Sequence, residues 1–372
     1  MLIIGGGPAG LSTAMHLQRL APDLQVRVLE KAHHPRPKLC GGGLTALAKQ
    51  GLARLALPWP LPLPHVPVYT VHFRYSDDEV LLRNPEGVFA VVHRPEFDAY
   101  LAAEARRRDV RLEEGVAVQR LWPEGGGWRV ETTQGVWHPR VIVAADGSRG
   151  TTRNWVISRR HHAVARLLEA VTPSDGALAQ AETAIFDFSA VRQGLQGYLW
   201  TFPSQVDAAF HCNRGVYDAR VARRAPKARL VPLLKAAFPD FPAPEGYPLH
   251  LFSPFQRLAR PGMLLVGDAA GADPLFGEGI GPALAYGEIA AQSIVAAFRR
   301  RDFRFRDYRP RVLVSPLGRY LIRRWMAAWV GYRLARYPVP MRIIWSIAHG
   351  LAALSNYATA RREQTHANSS HQ

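Results

Sequence analysis

Gly5, Gly7 and Gly10 of the opening GGGPAG form a G-x-G-x-x-G that closes a short apolar run and begins a helical pattern. That arrangement aims backbone N–H groups and the positive end of a helix dipole at a pyrophosphate. Glu30 lies 20 residues beyond Gly10, at the end of the apolar VRVLE. A carboxylate there accepts hydrogen bonds from a ribose 2′-OH and repels a 2′-phosphate, so the site suits FAD or NAD rather than NADP. The competing reading is a structural turn and a surface glutamate.

A second acidic turn follows a late apolar strand, in LLVGDAAGADPLFGEGIGPAL. Asp268, after Gly267, can bind ribityl hydroxyls or simply cap a turn. The N–H groups from Gly277 through Gly279 and Ile280 to Gly281, at a helix start, suit the electron-rich edge of a reduced flavin. A plain nicotinamide enzyme needs no such turn, which points to FAD. In GYLWTFP, Tyr198, Trp200 and Phe202 are spaced two apart, so a strand puts all three rings on one face, as core or as the wall of a cavity, with Pro203 expected to end the strand at its rim.

The elements that must position these groups are legible in outline. MLIIGGGPAGLSTAMHLQRL and VRVLE read as the start of a βαβ unit. The proline-dense 58–67 stretch is an extended connection, 68–92 reads as strands, RPEFDAYLAAEARRR as helix and RVIVAADG as an apolar strand. HHAVARLLEAV, ETAIFDFSAV, GYLWTFP and VDAAFHC are further strand-like runs, with ARLVPLLKAAF helical among them. The fold class expected is α/β: a Rossmann-like FAD-binding domain from residues 1–58, 92–158 and 253–300. Into it is inserted a mostly antiparallel β substrate domain, 59–91 and 159–252. Residues 301–372 form a C-terminal helical region, with helices around 312–336 and 341–360 and a polar tail.

With 372 residues, 48% of them apolar, the chain is long enough for two domains. Two cysteines, Cys40 and Cys212, and no cleavable basic leader favour a reducing, cytoplasmic location. The net charge of +17 is almost all arginine, and no RNA-binding signature, zinc-ligand spacing or helix-turn-helix pattern accompanies it, so nucleic acid is not an expected partner. His211 and Cys212 lack further ligands, so no metal is expected. His33, His34, His161 and His162 read as polar surface or strand residues. Arg319, Arg323, Arg324, Arg333, Arg336 and Arg342 lie among Trp325, Trp329 and Trp345, without an uninterrupted apolar span. That mixture suits either helices lying at an anionic lipid surface, at the inner face of the membrane, or helices packed over the substrate domain.

GGGPAG, the Arg94-x-x-x-Asp98 of HRPEFDAYL, the Asp146-Gly147 of AADGSRG and GDAAGADPLFGEGIGPAL together resemble the FAD-dependent hydroxylase fold. Within it, KLCGGGL and GYLWTFP are similar to the geranylgeranyl reductase family, over residues 1 to about 300. The resemblance implies that Glu30 binds the adenosine ribose, with Pro8, Ala9 and Lys31 beside it. It also implies that Arg94, Asp146 and Gly147 support the cofactor and that Asp268 binds ribityl or pyrophosphate. Cys40 and Gly41 would sit by the isoalloxazine, with Gly42, Tyr198, Trp200 and Phe202 toward substrate. Three glycines after a lone cysteine independently permit close approach of a planar ligand; an inert buried thiol is the other reading of Cys40.

The chain departs from that family at Leu195, where a proline is usual, and in DAAFHCNRGVYD, where a glycine-rich strand is usual. The expected activity is hydride transfer from FAD to a carbon–carbon double bond of a hydrophobic, isoprenoid substrate. Cys40, Tyr198 or a water are candidate proton donors. NADPH or reduced ferredoxin would be the transient electron donor, the latter making an electron-donor protein a partner. Oxygen chemistry, as a monooxygenase or halogenase, and a non-catalytic flavin- or lipid-binding role at the membrane are the alternatives.

Overall fold

The computed structural model describes residues 1–157, 164–222, 227–335 and 337–369. His161, His162 and Arg336 lie outside the described residues. The first sheet has six strands in the order Ala259–Arg260, Met263–Leu265, Ile142–Ala144, Leu2–Ile4, Arg27–Leu29 and Arg111–Glu113. Five run parallel and the Ala259–Arg260 edge is antiparallel. Leu2–Ile4, Ile142–Ala144 and Met263–Leu265 are three-residue apolar runs buried on both faces, as a covered parallel sheet requires. Helices Pro8–Leu20 and Ile280–Arg300 pack closely, and Ser12 Oγ donates to the Leu284 carbonyl at 2.8 Å between them.

The second large sheet has seven strands, in the order Glu245–His250, Val164–Pro173, Ala209–Asp218, Gly197–Val206, Thr183–Asp187, Thr70–Tyr75 and Asp78–Arg83. All its pairings are antiparallel except one, where Thr183–Asp187 joins Thr70–Tyr75 in parallel. GYLWTFP and VDAAFHC belong to one hairpin, turned at Asp207 and Ala208 with φ of +48° and +65°. Positive φ at both turn residues matches the twist of the strands they connect. Pro203 does not end its strand, contrary to the sequence-based expectation; the strand runs on to Val206. On one side Thr183–Asp187 pairs it only as far as Thr201, so beyond that point the edge is open and a missing N–H costs little.

Among the described residues the C-terminal region forms three helices, Tyr308–Val314, Pro316–Leu334 and Pro338–Ser369, rather than the two expected. Ser315 makes the first break: its hydroxyl accepts from the Gly318 N–H and Pro316 occupies the first helical turn. Trp345 is buried against Tyr75, ring centroids 5.5 Å apart, and so leaves the outer surface.

Candidate active site

One cavity of about 1160 Å³ runs between the two large sheets. It exceeds the roughly 300–1,000 Å³ of a pocket for one small ligand. Every residue singled out from the sequence as touching cofactor or substrate lines it, except Gly10 and Gly281. A Cβ on Gly10 would stand 2.0 Å from the Gly5 carbonyl oxygen, so this glycine serves the close packing of helix on strand instead. A Cβ on Gly281 would meet Glu278 Oε1 at 2.4 Å.

The polar end is built from two helix starts. Neither Gly7, before helix Pro8–Leu20, nor Gly279, before helix Ile280–Arg300, is followed by N–H groups taken by a capping side chain. Both first turns therefore offer free donors to the same cavity. A Cβ on Gly7 would meet only Arg36 Nη2, at 3.5 Å, so the space in front of it is the cavity itself. Glu30 is buried, accepting from the Gly6 N–H at 2.9 Å and the Ala32 N–H at 3.0 Å, with Arg36 at 3.3 Å. Asp146 accepts from the Thr152 N–H at 3.1 Å and from its hydroxyl, and burial holds its carboxyl above the ordinary range. Lys38 Nζ lies 3.8 Å from Asp268 Oδ2. Two uncapped helix starts, a cleared glycine face and carboxylates set for hydroxyl groups are a donor set that fits FAD.

The middle is built by the KLCGGGL loop, which crosses beneath the aromatic strand. A Cβ on Gly41 would touch the Phe202 ring at 3.1 Å, so the two motifs are in direct contact. The Cys40 N–H donates to Glu169 Oε1 at 2.5 Å, and the Cys40 carbonyl accepts from Asn213 Nδ2 at 3.2 Å. Arg94, buried and held by Asp98 through bonds of 2.9 and 3.0 Å, faces the Cys40 thiol. Both cysteines are free thiols, Cys212 buried and Cys40 half-buried.

The apolar end is a nest of rings. Phe186 lies 5.0 Å from Tyr198, 4.9 Å from Phe202 and 5.8 Å from Phe276, centroid to centroid. Tyr198, Trp200 and Phe202 are each under 10% exposed and line the cavity, so core and cavity wall are one and the same face. The Tyr198 hydroxyl donates to the Phe276 carbonyl at 2.6 Å, and burial pushes its pKa well above the ordinary value. Gly215, opposite Trp200 across the hairpin, leaves room for the indole; a Cβ there would lie 2.4 Å from Trp200 Cζ2.

Sequence reasoning missed Arg36, Glu169, Asn213, Glu278 and Arg324, all of which line the cavity. Arg324 reaches in from helix Pro316–Leu334, lying 3.3 Å from Asp273 Oδ2 and 4.9 Å from the centre of the Phe276 ring. Glu278, inside the GEGIG already singled out, accepts from Thr45 Oγ1 at 2.5 Å and from the Tyr320 hydroxyl. Its place between glycines at a helix start was the available signal. Of the other four, Glu169 stands alone among apolar residues, and Arg36, Asn213 and Arg324 sit near other polar or basic residues that belong to no motif.

Residues 3–38 match the family described as an NAD(P)-binding Rossmann-like domain. A menaquinone reductase from Mycolicibacterium smegmatis is 29% identical, over 78% of this chain and 75% of that protein. Digeranylgeranylglycerophospholipid reductase 2 from Methanothermobacter thermautotrophicus is 28% identical, over 82% and 80% respectively. Among solved structures, a geranylgeranyl bacteriochlorophyll reductase-like protein from Thermoplasma acidophilum superposes with a TM-score of 0.73 at 20% identity, over 95% of this chain and 90% of that one. The chain is thus similar in sequence to these reductases and shares the fold of the Thermoplasma protein, a Rossmann-like α/β architecture.

Proposed function

We propose that the protein reduces carbon–carbon double bonds in a hydrophobic substrate carrying a geranylgeranyl-type chain. The observation that carries this reading is the continuity of one cavity, from a dinucleotide cradle at Gly7 and Glu30 to an aromatic end at Phe186, Tyr198 and Phe202. An unbranched polar ligand would gain nothing from that second end, whereas each buried methylene of an apolar chain gains about 0.8 kcal/mol. The names of the two relatives support a reductive reaction, and that of the second a geranylgeranyl chain.

FAD held in this cavity would, when reduced, supply the hydride chemistry for a double bond. The chain's own residues hold and shield the reacting groups. The helix start at Gly7 would hold the pyrophosphate and that at Gly279 the flavin's electron-rich edge, while Trp200 and Phe202 press on the Cys40 loop and the ring nest would exclude water from the alkene. NADPH or a reduced ferredoxin fits as transient donor.

A lipid surface is the partner this reading calls for. Val339, Ile343, Ile347 and Leu351 form an exposed stripe at four-residue spacing on helix Pro338–Ser369, and Met326, Trp329 and Val330 extend it onto the preceding helix. Exposed Arg319, Arg323 and Arg342 complement anionic headgroups beside it. Among the described residues no helix is long and apolar enough to cross a membrane.

The test is anaerobic. Reduced protein is mixed with geranylgeranyl compounds as diphosphate, lipid ether or chlorophyll ester, and products are weighed for gains of two hydrogens. Flavin reoxidation with such gains supports the reading. In air, oxygen consumption tightly coupled to NADPH oxidation and yielding a hydroxylated or halogenated product overturns it.

A further inference from the structure

Reduction of an isolated alkene needs a proton as well as a hydride, and the cavity holds several acids that differ in what their oxygens already do. The Tyr198 hydroxyl is committed to the Phe276 carbonyl. Both oxygens of Glu278 are engaged, by Thr45 and Tyr320. The Cys40 thiol faces the Arg94 guanidinium, a donor rather than a proton source for it. Glu169 is different. It is 4% exposed, and its Oε1 accepts from the Cys40 N–H, while Oε2 has no hydrogen-bond partner among the described residues. It lines the cavity beside the loop that separates the cofactor cradle from the ring nest.

We propose that Glu169 is the proton donor to the substrate double bond, a role that rests on the reductase reading above. The Oε2–H bond breaks and a C–H bond forms at one alkene carbon. The other carbon takes the hydride, with its two electrons, from the reduced flavin. The products are a saturated bond, oxidised flavin and a Glu169 carboxylate that recovers its proton from water. The Cys40 N–H, left in place on Oε1, stabilises that carboxylate as it forms.

The charge environment keeps the acid loaded near neutral pH. Burial pushes the Glu169 carboxyl up to about 7, against the Cys40 N–H and the cations Lys38 and Arg94, and Glu245 on the neighbouring strand pushes the same way as burial. A donor with a pKa near the working pH is the effective kind.

Glu169→Gln keeps an oxygen for the Cys40 N–H and removes the proton. We expect it to retain FAD and to lose about 10²–10⁴-fold in alkene reduction, the range for a positioned acid. Wild-type turnover should fall as pH rises through about 7, and the residual rate of the variant should not. An infrared titration of the protein without substrate should show a protonated carboxyl band that disappears near pH 7 and is missing from the variant. Reduction by Glu169→Gln within threefold of wild type overturns the role while the reductase reading stands. A wild type that reduces no double bond overturns both. Should Glu169→Gln fail to fold, Glu169→Asp and the wild-type infrared titration decide: no protonated carboxyl above pH 6 in the wild type overturns the role.

Discussion

Trp200 donates its indole N–H to Asn213 Oδ1 at 2.7 Å, and Asn213 in turn donates to the carbonyl of Cys40. One buried amide thus ties the aromatic strand to the cysteine loop. Asn213→Leu leaves the buried Trp200 N–H without a partner, at about 1–3 kcal/mol, and removes the donor to the half-buried Cys40 carbonyl. The melting temperature should drop by several degrees, as thermal unfolding followed by circular dichroism would report. Trp200→Ala, which removes the indole itself, should lower turnover of a long-chain substrate far more than FAD retention; equal losses in both would assign Trp200 to the core alone.

The cleared face of Gly7 allows a cofactor test that spares the fold. Gly7→Val projects its side chain into the cavity, where the nearest protein atom to the new Cβ is 3.5 Å away. The variant should purify colourless, with flavin content below a tenth of wild type and an unchanged far-ultraviolet spectrum. Yellow protein with a normal flavin ratio would place the pyrophosphate elsewhere.

Glu169 also predicts a dependence of stability on pH. Its folded pKa of about 7 lies above the ordinary 4.5, so the stability it allows is fully present below 4.5 and is lost as pH rises to 7. The loss amounts to about 3 kcal/mol, at about 1.4 kcal/mol for each pH unit crossed between 4.5 and 7. Glu169→Gln has no such loss. Denaturant titrations of the flavin-free proteins should show the variant gaining on wild type between pH 5 and 8, with no gain below pH 4.

The exposed stripe on helix Pro338–Ser369 predicts sedimentation with vesicles. Binding should require anionic lipid, weaken with salt as arginine contacts are screened, and fail in the double variant Ile343→Asp, Ile347→Asp. Vesicles of neutral lipid alone should leave the wild type in the supernatant.

The cofactor end was readable because its chemistry is local. Gly5, Gly7, Glu30 and Asp268 sit at fixed distances from strand ends, and the period-two rings of GYLWTFP state their own face. Glu169 and Asn213 gave no such signal: Glu169 stands alone among apolar neighbours on its strand, Asn213 is one of several polar residues on its own strand, and the bond from Glu169 to Cys40 spans 129 positions of sequence. Pro203 was misread for a related reason, since a proline is tolerated where the neighbouring strand has already stopped, and only the pairing register shows where that is. Likewise Trp345 shares its helix with exposed Ile343 and Ile347, and composition alone does not say which way each points.

The parallel join between Thr183–Asp187 and Thr70–Tyr75 stitches together two segments that leave the Rossmann sheet at separate points of the chain. Phe73 comes from one and Phe186 from the other, and they meet at 5.4 Å. The aromatic wall is therefore not a cassette. An exchange of specificity between relatives would have to transplant both segments together, because either one grafted alone would present half a seam to a foreign edge.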